Sequence, residues 1–273
     1  MANRTWLGVD TPGDWSVAAN WSPAVVPIDG DDVFLTGTST QAVTAGLDQN
    51  LIQLASLTIS EGYTQNIGSS GNNLIIDATT LRYDGRGAEA YLEGDYPTVI
   101  AAGSGDQADS LHLKGIGTDI DDLRITGGRV KLLDSSTAQN IYMAHHGNIS
   151  SDVVLNIGSS CTVTAVYKTG GILTSNSAIV TAYHSAGIWT HKTGALTTVW
   201  LFGGVLFWEA SATATTVHVF GGTFDATKDI AGPRTITTLN VHPGGTAKLP
   251  VSGVTVTNQN NYGGTIQQLF SEL

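Results

Sequence analysis

The chain carries very little of what catalysis or membrane insertion would need. Its 273 residues include one cysteine, Cys161, so no disulfide can close within it. Cys161 lies in the β-like stretch SSCTVTAVY (159–167), where it reads as a small buried residue. A reactive thiol would need a nearby base and an electropositive setting, and the sequence signals neither. Charged residues make up only 13 % of the chain, which does not suit amphipathic helices rich in Glu, Lys, Leu and Ala. No apolar run approaches the ~18 residues of a membrane span, and the start MANRTW has no apolar signal segment. Folding in a reducing cytoplasm is therefore expected, with no membrane partner. Serine-hydrolase, zinc-protease and P-loop motifs are missing, and so are paired cysteines.

What is abundant is glycine, at 33 residues, together with Ser, Thr, Asn and Val. β-Branched side chains suit a pleated surface, and glycine reaches the positive φ of tight turns. Charge is unevenly placed. Residues 1–122 hold 17 acidic and 4 basic side chains, and residues 123–273 hold 6 and 8, giving −13 and +2 for the total of −11. The acidic front half would repel phosphates and argues against a nucleic-acid partner.

From residue 120 a unit recurs: an alternating apolar run, a glycine corner, and a second alternating run. Examples are IDDLRITGGRVKLL (120–133), CTVTAVYKTGGILTS (161–175), AIVTAYHSAGIWTH (178–191), LTTVWLFGGVLFW (196–208) and ATTVHVFGGTFDA (214–226). The second glycine of the corner, or its equivalent, falls at 128, 147, 171, 187, 204, 222, 245 and 264, in steps of 16 to 24 residues. Such steps are too short for helical-hairpin repeats and match one winding of a parallel β-solenoid. The expected fold is all-β, mainly a right-handed parallel β-helix with an N-terminal aromatic cap. Three regions follow: a cap over 1–35, irregular β coils over 36–119 with an insertion near 84–110, and a regular solenoid over 120–273 continuous with them. Trp6, Trp15 and Trp21 are the cap candidates, because the first coil of a solenoid otherwise exposes its core.

Alternation assigns Val199, Leu201, Val217, Val219, Leu239 and Val241 to one side of the coil wall. Trp200, Phe202, His218, Phe220, Asn240 and His242 fall on the other. Placed outward, Trp200, Phe202, His218, Phe220 and His242 make columns that suit a subunit interface or a glycan platform; placed inward, they are core.

Chemistry has few candidates. No catalytic residue, metal site or cofactor is expected. Glu209 and Asp225, just past successive glycine corners, are the nearest approach to a glycosidase pair. His145 and His146 (in AHHG) would point to opposite faces of a strand, a poor metal site. GSGD (103–106) lacks the helix of a phosphate loop. Asp29-Gly30-Asp31-Asp32 is either a calcium loop without enough ligands or, more simply, a turn whose aspartates cap backbone amides.

The stretch TWLG…DWSVAANWSPAVVPIDGDDVFL, within residues 4–35, resembles the W…NWSPAGVPGAGDDV type of opening of repetitive β-rich bacterial surface proteins. With its Met start and no export signal, the chain is more similar to tailed-phage virion proteins that carry the same opening. The resemblance implies a virion structural protein, foremost a decoration or cement protein on the head exterior. Its implied partners are the major capsid protein or other virion proteins, and copies of itself in a homotrimer. The alternatives are a tail spike or fibre that binds or degrades host polysaccharide, and a bacterial surface adhesin module.

Overall fold

The computed structural model describes residues 2–10, 13–85, 89–103, 110–115, 120–144, 153–228 and 232–269. Over these residues the chain is almost wholly β, with 23 strands and one short 3-10 turn, Ala18–Asn20. The strands wind into a β-solenoid of about 11 parallel-stacked turns. Two sheet faces result. One runs through Thr162–Lys168, Ile179–His184, Leu196–Leu201, Thr213–Val219 and Arg234–Val241, each paired in parallel with the next. The other runs through Val153–Ile157, Ile172–Ser175, Ile188–His191, Val205–Trp208 and Gly222–Asp225. At about 4.8 Å per rung, the stack is on the order of 50 Å long.

In-register pairing places like residues over like. Val33, Leu57, Leu81, Val99, Leu123, Ile141, Val166, Ala182, Val199, Val217 and Leu239 form one continuous inner column, and all are buried. The opposite wall supplies Leu111, Val130, Leu155, Leu173, Trp189, Leu206 and Phe224, each fully buried. The stretch near 84–110 contributes Glu89–Gly94 and Thr98–Ala102 to the ladder, in register with Ser110–Gly115 and Ile120–Leu132.

The two faces meet at glycine corners. Gly171, Gly187, Gly204 and Gly222 all have positive φ, between 69° and 81°. A Cβ at Gly204 would lie 2.5 Å from the carbonyl oxygen of Gly187 and 2.7 Å from His184 Nε2. Gly204→Ala therefore combines a left-handed backbone, costing ~1–2 kcal/mol, with a clash against main chain. We expect a denaturation midpoint lowered by more than that backbone term alone, measured by guanidinium titration. In the unit around 243–245 the positive φ moves to Gly244 (91°). Pro243 lengthens that corner, and Gly245 instead closes a turn through its N–H to the His242 carbonyl, 3.0 Å.

At the N-terminal end Trp6, Trp15 and Trp21 pack together. Their ring centroids lie 4.6 to 6.3 Å apart, and all three are at most 1 % exposed. Asn3–Trp6 runs parallel to Asp32–Leu35 and antiparallel to Trp21–Ser22. That antiparallel strand occupies the edge where a further parallel coil would otherwise pair. At the other end, the inner register passes from Leu239, Val241 and Leu249 to Gln259, Asn261 and Gln268. These three amides are exposed, so the last described coil hydrates positions that are apolar elsewhere.

Candidate functional site

The outer face of the first sheet is a ladder of rings. Tyr142, Tyr167, Tyr183, Trp200 and His218 occupy one register position in five successive coils. Their centroids are separated by 5.0, 5.1, 6.4 and 4.1 Å, with interplanar angles of 10° or less. Two residues along, Phe202, Phe220, His242 and Tyr262 form a second column at 5.4, 4.0 and 4.9 Å. Trp200 joins the columns through Phe220 at 5.9 Å. The cause is the backbone: rungs about 4.8 Å apart hold successive planar rings in offset stacking. Arg124 covers the upper end, its guanidinium 5.6 Å from the Tyr142 ring centre. Amides continue the lower end, where Asn260 Nδ2 donates to Asn240 Oδ1 at 2.9 Å.

The ladder lies outside the core. Val199, Leu201, Val217, Val219, Leu239 and Val241 are fully buried, whereas Phe202 is 50 % exposed and Tyr262 58 %. Trp200, His218, Phe220 and His242 are half-buried, each stacked on neighbouring rings. Burial, and then the nearby His242, lower the pKa of His218. Tyr142, Tyr167, Tyr183 and Tyr262 extend the face beyond the five residues identified by sequence. Their signal was present: Tyr167, Tyr183, Trp200 and His218 each stand three residues before the first position of the corner.

Asp225 and the aspartates of the acidic turn are engaged structurally. Asp225 Oδ1 accepts hydrogen bonds from Thr227 N (3.0 Å) and Thr227 Oγ1 (2.6 Å), and its other oxygen lies 3.8 Å from Lys248 Nζ. Asp225 is in register with Phe207 rather than with Glu209, so the two acids do not share a rung. In the acidic turn each aspartate has its own task. Asp29 Oδ1 caps Gln53 N at 2.9 Å, and Asp32 Oδ1 accepts from Ser56 Oγ at 2.5 Å. Asp31 accepts from Ala2 N and Arg4 Nε, both at 2.9 Å, and from Ile28 N at 3.3 Å. Burial would raise the Asp31 pKa, but Arg4 and the two amides outweigh it and hold it low. The geometry is that of a capped turn, with Gly30 at φ 76°. No group of three or more metal-ligating side chains occurs among the described residues. His145, His146 and most of the GSGD loop lie outside them. Cys161 is buried, which raises its thiol pKa.

No family model, curated protein or solved structure matches this chain. The functional reading therefore rests on the surface itself.

A second feature, missed in the sequence, lies on the other sheet. A groove of about 640 Å³ is bounded by the turn around Gly71 and by the outer side chains of consecutive coils. Tyr91, His112, Lys131 and Asn156 follow one another in register along its floor. Tyr91 and His112 stack at 4.0 Å. Their sequence signal is faint, because YLEG, LHLKG, VKLL and LNIG share only a polar or aromatic residue at the outward position. It becomes a site only once the register is known.

Proposed function

We propose that this chain is a structural protein of a tailed-phage virion, mounted on the head exterior as a decoration or cement protein. The observation that carries this reading is the two-column aromatic face on a rod with a closely stacked apolar interior. Large, stacked, partly exposed rings are the composition of a protein contact. Ring stacking also fixes the side chains before contact, so little rotamer entropy remains to be lost on association. The proposed assembly is a homotrimer joined through this face, with the major capsid protein as the underlying partner.

The double substitution Trp200→Ser, Phe220→Ser tests the contact. Both side chains point outward, so the variant should fold, with an unchanged β-type circular dichroism spectrum. Its sedimentation should move from trimer to monomer; a wild-type monomer, or a variant that stays trimeric, contradicts the reading. The location is tested by electron microscopy of virions with and without the protein. Intact but barer or more fragile heads support decoration; lost adsorption with unchanged heads assigns the chain to a tail spike instead.

A further inference from the structure

The groove over the second sheet has its own chemistry, independent of the aromatic face. It mixes polar side chains with the apolar edges of Leu132, Leu133 and Ile157, and it follows the stack, with Tyr91, His112, Lys131 and Asn156 spanning three rungs, about 14 Å. Its acids are already occupied. Glu93 takes Lys114 Nζ and Asn73 Nδ2, both at 2.8 Å, and Asp134 takes the Ser159 amide at 2.7 Å. Lys131 has no ion-pair partner among the described residues, in a chain of net charge −11.

Two buried polar atoms on the groove wall also lack hydrogen bonds: Asn73 Oδ1 and His112 Nε2. His112 is only 5 % exposed. The nearest carboxylate to Nε2, that of Glu89, stands at 3.7 Å, too long for a hydrogen bond. Buried polar atoms without partners are uncommon in folded proteins, and beside an open groove a bound water or a ligand hydroxyl can supply the missing hydrogen bond.

We propose that this groove binds a carboxylate-bearing saccharide chain. Lys131 takes the carboxylate, while Asn73, Asn156 and Asn176 bond ring hydroxyls. The side-chain types select among ligands. Amides bond hydroxyl pairs as both donor and acceptor. One unpaired cation among the described residues, beside Asp134 and Glu93, is too little positive charge for a phosphodiester backbone. The rung spacing is close to the length of one pyranose unit, so an extended chain of sugars can meet successive coils in step.

Affinity electrophoresis and titration calorimetry of the full chain against polygalacturonate, hyaluronate and dextran test this. The two acidic polymers, or at least one of them, should retard the protein, and dextran should not. Lys131→Met should weaken retardation by about tenfold, the cost of one charged hydrogen bond, and Lys131→Arg should retain most of it. Asn156→Ala should weaken it by a smaller factor. Leu51→Ser, at an exposed position outside the groove and the aromatic face, should leave it unchanged. Absence of retardation by both acidic polymers, equal retardation by dextran, or wild-type behaviour of both Lys131→Met and Asn156→Ala overturns the proposal.

Discussion

Acidification from pH 6.5 to pH 4 is expected to destabilise the solenoid by on the order of 5 kcal/mol, a large part of the stability of an ordinary domain. The cause is two histidines sealed inside the coil, both fully buried. Burial, with the Lys168 ammonium beside it, lowers the His184 pKa to about 3. Burial lowers that of His191 to about 4, partly opposed by the Gly194 carbonyl. In the unfolded chain both titrate near 6.5. Below pH 6.5 the unfolded state therefore binds protons that the native state refuses, and stability falls as pH falls, by up to about 3 kcal/mol per pH unit for the pair. The loss ends only as the native pKa values are passed.

The two histidines differ in what holds them. Trp189 Nε1 donates to Ser175 Oγ at 2.8 Å, and Ser175 Oγ lies 2.7 Å from His191 Nδ1. His191 Nε2 lies 2.8 Å from the Gly194 carbonyl. A neutral ring protonated on Nε2 satisfies this whole chain, and a second proton would leave Ser175 without an acceptor. Neither ring nitrogen of His184 has a hydrogen-bond partner among the described residues. It sits in the inner column directly before Leu201. His184→Leu should thus flatten roughly half of the acid sensitivity and raise stability at pH 7, because leucine continues the column and leaves no polar atom behind. Chemical denaturation at a series of pH values checks both. An unchanged pH slope in the variant would refute the assignment. Lys168 acts at the other end of the scale. Burial lowers its pKa to about 7, despite hydrogen bonds to the Gly171 and Ala186 carbonyls at 2.8 and 2.7 Å. Its penalty is complete below pH 7 and is relieved as pH rises toward 10, so stability should climb over that interval.

Trp15→Ala is expected to cost ~3–5 kcal/mol, the range for emptying a buried aromatic site, and the damage should be local. Trp15 touches both other tryptophans of the N-terminal end, and its carbonyl accepts the Trp21 indole N–H at 2.8 Å. In a solenoid each coil contacts only its neighbours, so failure at one end need not spread. Hydrogen exchange should accelerate over residues 3–60 while the strands from Leu196 to Val241 keep their protection. Trp15→Phe should cost much less, because it retains ring volume and removes an indole nitrogen without a hydrogen-bond partner among the described residues. Uniformly faster exchange along the whole chain would show instead that the coils fold as one cooperative unit.

The parallel solenoid was legible because its period is written twice, in alternating apolar residues and in glycine corners such as Gly187, Gly204 and Gly222. The outward place of Trp200 and Phe220 followed from the same alternation once Val199 and Val217 were taken as core. The internal histidines were not legible. His184 and His191 look like surface residues in AYHSAG and WTHKTG, and only the register shows them replacing Leu201 and Trp208 in their columns. The groove was hidden for a related reason. Lys131 and Asn156 are 25 positions apart in the sequence, and their adjacency exists only through pairing across a coil. Spacing within a strand can be read from a sequence, whereas contact between coils of unequal length cannot.

Outward and inward side chains alternate over the stretches that carry the aromatic columns, such as Val199–Leu201 and Val217–Val219, so the decorated faces are chemically separable from the packing that supports them. An outward position can be rewritten one coil at a time without disturbing the residue beneath it. Inserting one whole winding would displace every later position by a single rung and still offer both neighbours a matching edge. The molecule thus behaves as a graduated scale, on which the placing of functional groups is set in units of the backbone hydrogen bond.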